Sequence, residues 1–234
     1  MRSVILGFVA LGLCLVTIVS LPAGVAGQSA RILYVTPEGD DTQDCLTGAT
    51  ACQTISAALD KAQAGDTVRV ATGTYYYKRN PANPDSRYIF LIFKSITLSG
   101  GWNEAFSAQT GFSVADAHDV AVIGYIAARD ANGNRIAAQI DRFILQNSNP
   151  GPNYAGALYV AGDLVLSNST VRNNRAGSCG GLCVYGSIDL NNVTMLYNSA
   201  VNDGGAITIG QGARATIRSS TIVRNQAGRS GGGI

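Results

Sequence analysis

Residues able to move a proton or hold a metal are few in this sequence. Among its 234 residues there is one histidine, His118, so multi-histidine metal sites are excluded and any imidazole catalysis would rest on that side chain. His118 lies between Ala117 and Asp119 and reads as a surface loop residue. The carboxylates that draw notice are Asp40-Asp41, Asp141 beside Arg142, and the separate Asp163 and Asp189. Cleaving a glycosidic bond needs two carboxyls flanking it, and calcium needs several converging oxygens. Asp40-Asp41 follows Gly39, where turn chemistry explains it. Cys45, Cys52, Cys179 and Cys183 could act as thiolate ligands or as disulfides. A four-thiolate zinc site would have to bring two distant pairs together, and the first pair is more widely spaced than zinc ligands usually are. Two local disulfides, Cys45–Cys52 and Cys179–Cys183, are the natural reading; such short loops gain modest stability and a fixed shape. Tyr75, Tyr76 and Tyr77 could stack on sugar, although strand alternation would expose at most two of them. Asn168-Ser169-Thr170 and Asn192-Val193-Thr194 match the glycosylation acceptor pattern, but they coincide with a repeat corner that explains them better.

Composition narrows the partners. The net charge is +2 and only 14% of residues are charged. A basic footprint for nucleic acid is therefore not expected, nor is a charge-rich disordered tail. Met1-Arg2-Ser3, an apolar run from Val4 to Leu21 and the small residues Ala23 to Gly27 describe a secretory signal peptide over residues 1–27. The apolar run is long for such a core, so an uncleaved membrane anchor is the alternative. Cys14 follows Leu13, where a lipoprotein signal would need a small residue. The expected location is secreted or cell-surface, which suits disulfides.

The elements that would position these groups are announced by repetition. Gly156-Ala157-Leu158, Gly180-Gly181-Leu182, Gly204-Gly205-Ala206 and Gly231-Gly232-Gly233 open equivalent units, spaced 24, 24 and 27 residues apart. Asn168-Ser169-Thr170-Val171 recurs as Asn192-Val193-Thr194-Met195 and Ser219-Ser220-Thr221-Ile222. Asn174, Asn198 and Asn225 mark a third landmark. Periods of this size indicate a solenoid. Leu164 and Leu166, Ile188 and Leu190, and Ala215 and Ile217 alternate with other residues, so they lie on strands with one face inside. A second apolar stack, Val171, Met195 and Ile222, is offset by an odd number of residues. The chain must therefore bend near Asn168, Asn192 and Ser219. Strand, corner and strand in each unit describe one coil of a parallel β-helix. A leucine-rich repeat would instead need leucines in fixed register and a helical back face. Stacking would place Asn174, Asn198 and Asn225 in a side-chain amide ladder if they point inward; if outward, they are turn formers that tolerate left-handed backbone. The paired glycines would let the chain turn where each coil begins.

Residues 28–77 read as an N-terminal cap with the first coil, residues 78–155 as irregular early coils, and residues 156–234 as regular coils. In the first block Thr54 caps a helix expected over Ile55 to Ala64, with Ile55, Ala58, Leu59 and Ala62 on one face. Such a helix would cover the open end of the solenoid. The last repeat opens at Gly231 and the sequence stops at Ile234, so we expect this to be part of a longer protein.

The run Tyr34-Val35-Thr36-Pro37-Glu38-Gly39-Asp40-Asp41, Cys45 to Cys52, Thr54-Ile55 and Gly65-Asp66-Thr67-Val68 resembles the opening segment of secreted bacterial right-handed parallel β-helix repeat proteins. These belong to the pectin-lyase-like superfamily. Ser95-Ile96-Thr97-Leu98-Ser99-Gly100-Gly101-Trp102 with Phe106 is similar to the segment that follows in that group. The resemblance implies an all-β, right-handed parallel β-helix with an N-terminal capping helix. It does not choose an activity, because the superfamily spans lyases, hydrolases, epimerases, adhesins and passenger domains. Its lyases use clustered carboxylates for calcium with an Arg or Lys base, and its hydrolases use two or three Asp. Here stacking would align Val165, Asp189 and Thr216, a single acid, and Ser167, Asn191 and Arg218, with none. Arg172, Leu196 and Val223 give no cluster either. We therefore assign no catalytic, cofactor or metal residue and expect a non-catalytic module for adhesion or display. The alternatives are a lyase or hydrolase acting on acidic polysaccharide, the only case calling for calcium, and a structural spacer. The expected partner is extracellular polysaccharide or cell-surface glycan. Membrane contact would come only through an uncleaved leader or an anchor beyond Ile234.

Overall fold

The computed structural model describes residues 29–78, 86–151 and 155–234; the leader expected over residues 1–27 lies outside them. Strand β1 (Ile32–Val35) is followed by helix α1 (Ile55–Lys61), and the chain then repeats one circuit six times. The first comprises β2 (Thr67–Ala71), β3 (Gly73–Tyr76) and β4 (Tyr88–Ile92). The second comprises β5 (Ile96–Trp102), β6 (Ser113–Asp116) and β7 (Val122–Ile126). The third comprises β8 (Ala137–Asp141), β9 (Phe143–Gln146) and β10 (Leu158–Val160). The fourth adds a short strand: β11 (Asp163–Ser167), β12 (Thr170–Arg172), β13 (Arg175–Ala176) and β14 (Leu182–Val184). The fifth repeats it with β15 (Ser187–Asn191), β16 (Thr194–Leu196), β17 (Ser199–Ala200) and β18 (Ile207–Ile209). The sixth holds β19 (Arg214–Arg218), β20 (Thr221–Val223) and β21 (Gln226–Ala227).

The named strands pair in parallel between successive circuits and sort into four sheets. Sheet 1 is β1-β2-β5-β8-β11-β15-β19, and sheet 2 is β3-β6-β9-β12-β16-β20. Sheet 3 is β13-β17-β21, and sheet 4 is β4-β7-β10-β14-β18. This is a predominantly β chain built as a parallel β-solenoid. Like residues lie over like: Leu164, Ile188 and Ala215 share one row, Leu166, Leu190 and Ile217 a second, and Val171, Met195 and Ile222 a third. The same rows run back through the less regular part of the sequence, with Ala138 and Ile140 beneath Leu164 and Leu166. Burial follows strand alternation, so one contiguous core runs along the axis.

In the third to sixth circuits two corners carry residues in the left-handed region. Arg142, Asn168, Asn192 and Ser219 turn sheet 1 into sheet 2. Asn147, Asn173, Tyr197 and Arg224 turn the chain out of sheet 2. One left-handed residue redirects the strand, which is why inward residues on the two sides are offset by an odd number. Asparagine pays least for this conformation among residues with a Cβ.

The paired glycines answer mainly to crowding rather than to turning. A Cβ on Gly180 would lie 2.5 Å from the Ser199 carbonyl oxygen of the next circuit and would also meet the Gly205 oxygen. Gly156 and Gly205 face the following circuit in the same way. Among the paired glycines, Gly204 and Gly231 do have a positive φ, of 70° and 68°.

Helix α1 starts where Thr54 Oγ1 accepts the Ala57 N–H, with Asp41 accepting the N–H groups of Gln53 and Thr54. It ends at Lys61, short of the Ala64 expected from sequence. Ala62 still donates its N–H to Ala58 O but has already turned extended. Lys94 Nζ, on the connection between β4 and β5, takes the carbonyls of Leu59 at 3.1 Å and Ala62 at 2.8 Å. Those carbonyls, orphaned at a helix end, are thereby satisfied. Ile55, Ala58 and Leu59 are buried in the same core as Leu33 and Val68.

Candidate functional site

The three asparagines of the repeat point inward and join along the axis. Asn174 Nδ2 donates to Asn198 Oδ1 at 2.9 Å, and Asn198 Nδ2 donates to Asn225 Oδ1 at 2.9 Å. Each amide also closes the strand of the previous circuit: Asn174 Nδ2 reaches Leu145 O, Asn198 Nδ2 reaches Val171 O and Asn225 Nδ2 reaches Met195 O. The row begins one circuit earlier than sequence indicated, at Ser148, whose N–H donates to Asn174 Oδ1 at 3.0 Å. A serine in this place breaks the asparagine pattern, so the repeat spacing does not point to it. The outer corner has its own chain, in which Asn192 Nδ2 donates to Asn168 Oδ1 and Asn168 Nδ2 to Asp141 Oδ1. Both acceptor-pattern asparagines thus have their amides engaged.

Cys45 pairs with Cys52 and Cys179 with Cys183, with Cα atoms 5.0 and 5.2 Å apart. The first pair fixes the loop between β1 and α1. The second lies on sheet 4, where Ala155, Cys179, Cys183 and Tyr159 pack together. Disulfides fit an oxidising compartment. Among the described residues, no helix is long and apolar enough to cross a membrane.

The charges of sheet 1 face outward around a depression of about 370 Å³. Val165, Asp189 and Thr216 are side by side, as are Ser167, Asn191 and Arg218. Asp163 receives Arg135 in a two-pronged contact, Nε at 2.6 Å and Nη2 at 2.7 Å, and also the Ser187 hydroxyl. The Arg135 hydrogen bond, against some burial, holds the Asp163 carboxyl below the usual carboxylate range. Asp189 pairs with Arg218 at 3.0 Å. Asp141 takes Ser167 Oγ and Asn168 Nδ2, both at 2.7 Å. A carboxyl held ionised beside a guanidinium is a poor proton donor, and a general acid needs the opposite arrangement. Among the described residues, no group of three or more His, Cys, Asp or Glu side chains could hold a metal ion.

The imidazole of His118 stands edge-on to Tyr76, 5.7 Å between ring centroids. Asp116 nearby accepts the His118 backbone N–H, Gln146 Nε2 and Asn147 Nδ2, and no contact joins its carboxylate to the imidazole. Of the consecutive tyrosines, Tyr75 is buried with its hydroxyl bonded to Ala71 O at 3.0 Å and Val35 O at 3.3 Å. Tyr77 bonds Ser86 O, leaving Tyr76 as the exposed ring.

The feature that sequence reading missed lies on the outer face of sheet 4. Leu91, Tyr125, Tyr159 and Cys183 occupy one outward row. Tyr125 and Tyr159 stack with centroids 5.4 Å apart, and Tyr159 and Tyr185 at 5.2 Å, with interplanar angles of 25° and 22°. Tyr88 and Phe93 extend the strip toward β4, at 6.0 and 6.1 Å from Tyr125. Tyr185 is 52% exposed and lies over Gly210, where a Cβ would come within 2.6 Å of its ring. Tyr88 and Phe93 also line a cleft of about 770 Å³ beside α1, together with Gln53, Asp60, Tyr76 and Lys78. Tyr125 and Tyr159 lie in one register, but Tyr185 joins them from two residues beyond the equivalent Cys183, so no fixed sequence interval betrays the strip.

A β-solenoid with an aromatic face is the class that this geometry defines. Comparison with known proteins goes no further: no family model, no curated protein and no solved structure matches this chain.

Proposed function

We propose that the chain works outside the cell as a non-catalytic adhesion module that holds glycan on the outer face of sheet 4. In this reading it is a right-handed β-helix of the pectin-lyase-like kind, with α1 closing the N-terminal end of the core. The observation that carries the proposal is the run of aromatic rings from Tyr88 to Tyr185 on the outer face of sheet 4. Exposed aromatic clusters of this kind mark interaction sites more often than bare surface. The paired carboxylates of sheet 1 support the non-catalytic half of the proposal, because Asp163 and Asp189 are each neutralised by an arginine.

The test is a glycan array probed with purified protein, run beside an assay for unsaturated product on polygalacturonate with calcium. Glycan binding without product release is the expected outcome. A calcium-dependent rise in product absorbance would replace this reading with the lyase alternative. Absence of binding to any glycan or cell surface would favour a spacer.

A further inference from the structure

We infer that Tyr125, Tyr159 and Tyr185 form a binding row for an extended, uncharged polysaccharide lying along the solenoid axis. The inference rests on the adhesion reading and adds to it the class of glycan and the residues that hold it.

Hydroxyl chemistry separates this row from the tyrosines Tyr75 and Tyr77, which serve the interior. The buried Tyr75 donates to backbone carbonyls, and Tyr77 donates to Ser86 O. A tyrosine that serves the interior finds a partner for its hydroxyl in this way. Among the described residues, the hydroxyls of Tyr125, Tyr159 and Tyr185 make no hydrogen bond to protein. Three donor–acceptor groups are thus set in line along the axis and left for solvent or ligand.

Ring geometry points the same way. Centroids 5.2–5.4 Å apart at small interplanar angles describe offset stacking, in which each ring covers only part of its neighbour. Tyr125 and Tyr159 stay partly exposed, and Tyr185 is half exposed. A pyranose presents C–H groups to a ring face and hydroxyls to a ring edge. Strand pairing fixes the spacing of Tyr125 and Tyr159, and the Cys179–Cys183 disulfide packs against Tyr159. A row held this firmly loses little freedom on binding.

Charge selects the glycan. The outward row of sheet 4 reads Leu91, Tyr125, Tyr159, Cys183 and Thr208, without a formal charge. Burial, reinforced by Tyr185 and Tyr125, pushes the Tyr159 hydroxyl above the usual phenol range, so it stays a neutral donor. A polyuronate would find no cation in this row. It would find arginines on sheet 1, at Arg214 and Arg218.

The experiment is affinity electrophoresis and calorimetry of the full chain with two probes, hydroxyethylcellulose as the neutral chain and polygalacturonate as the acidic one. Binding to the neutral probe is expected, unchanged between low and high salt. Tyr159→Ala should weaken it at least tenfold and Tyr159→Phe only a fewfold. Tyr185→Ala, at a half-exposed ring, should cost roughly as much as Tyr159→Ala while keeping the wild-type urea midpoint, which separates lost binding from lost fold. Neutral-probe binding that survives both alanine variants overturns the inference. So does salt-sensitive binding of polygalacturonate alone that is lost in Arg214→Ala and Arg218→Ala, and that result leaves glycan adhesion standing. Failure to bind either probe or any arrayed glycan overturns the inference and the adhesion reading together.

Discussion

Asn198 is fully buried, and both ends of its amide are occupied. Its Oδ1 accepts the Asn174 N–H and Nδ2, and its Nδ2 donates to Val171 O and Asn225 Oδ1. Truncation leaves several of those partners buried without a replacement, and each orphaned group costs about 1–3 kcal/mol. Asn198→Ala should therefore lower unfolding free energy by about 3 kcal/mol in urea titration. Asn225→Ala, at a half-buried position, should cost about 1 kcal/mol. Asp66 makes a second residue-scale case. Burial opposes its charge, yet Arg31 and the backbone N–H groups of Gln63 and Arg31 outweigh burial and hold its carboxyl below the usual range. A depressed folded pKa gives stability that is complete above the unfolded value of about 3.9 and is lost as pH falls through the folded value. The urea midpoint of the wild type should therefore drop steeply below about pH 4. In Asp66→Asn the midpoint should be lower at neutral pH and fall less on acidification; an unchanged acid slope would remove Asp66 from the account.

At the scale of elements, the circuits approach so closely that glycine becomes structural. Gly180→Ala puts a methyl against the Ser199 and Gly205 carbonyls. Overpacking of this kind costs about 1–3 kcal/mol, and a thermal shift of several degrees should report it. An unchanged melting temperature would mean that the circuits can part at little cost. The glycine spacing was legible in sequence, but its reason was not, because crowding comes from a neighbouring circuit that no local pattern describes. Helix α1 teaches the same lesson at its end. Thr54 and the apolar positions of its face are local signals, whereas the partners of its last carbonyls, Lys94 and Arg31, come from outside the helix. The bends at Asn168 and Asn192 were readable from the odd offset between the two apolar stacks, whereas left-handed backbone was expected of Asn174, Asn198 and Asn225 as the alternative to a ladder and falls at these corners instead. The left-handed corners at Tyr197 and Arg224 were not readable, since neither residue type favours that conformation.

For the whole molecule, each circuit is supported by the ones on either side of it, so protection should vary along the axis. Leu166 and Leu190 are fully buried, whereas Ala215, Ile217 and Ile222 in the sixth circuit are partly exposed. Amide exchange should be at least roughly 100-fold faster for β19 and β20 than for β11 and β12. Uniform protection would instead mean that the solenoid opens as one cooperative unit. Repetition and alternation in the sequence were enough to determine the parallel stack, its inward rows and the absence of an acidic row over Asp189, because each of these depends only on which residue follows which within a period. The tertiary structure alone decided where the aromatic strip runs, that Ser148 heads the asparagine row and that Arg135 and Arg218 neutralise the outer aspartates. Those contacts join residues of different circuits at unequal intervals, and insertions between strands change the interval without moving the strands, so only the folded distances reveal them.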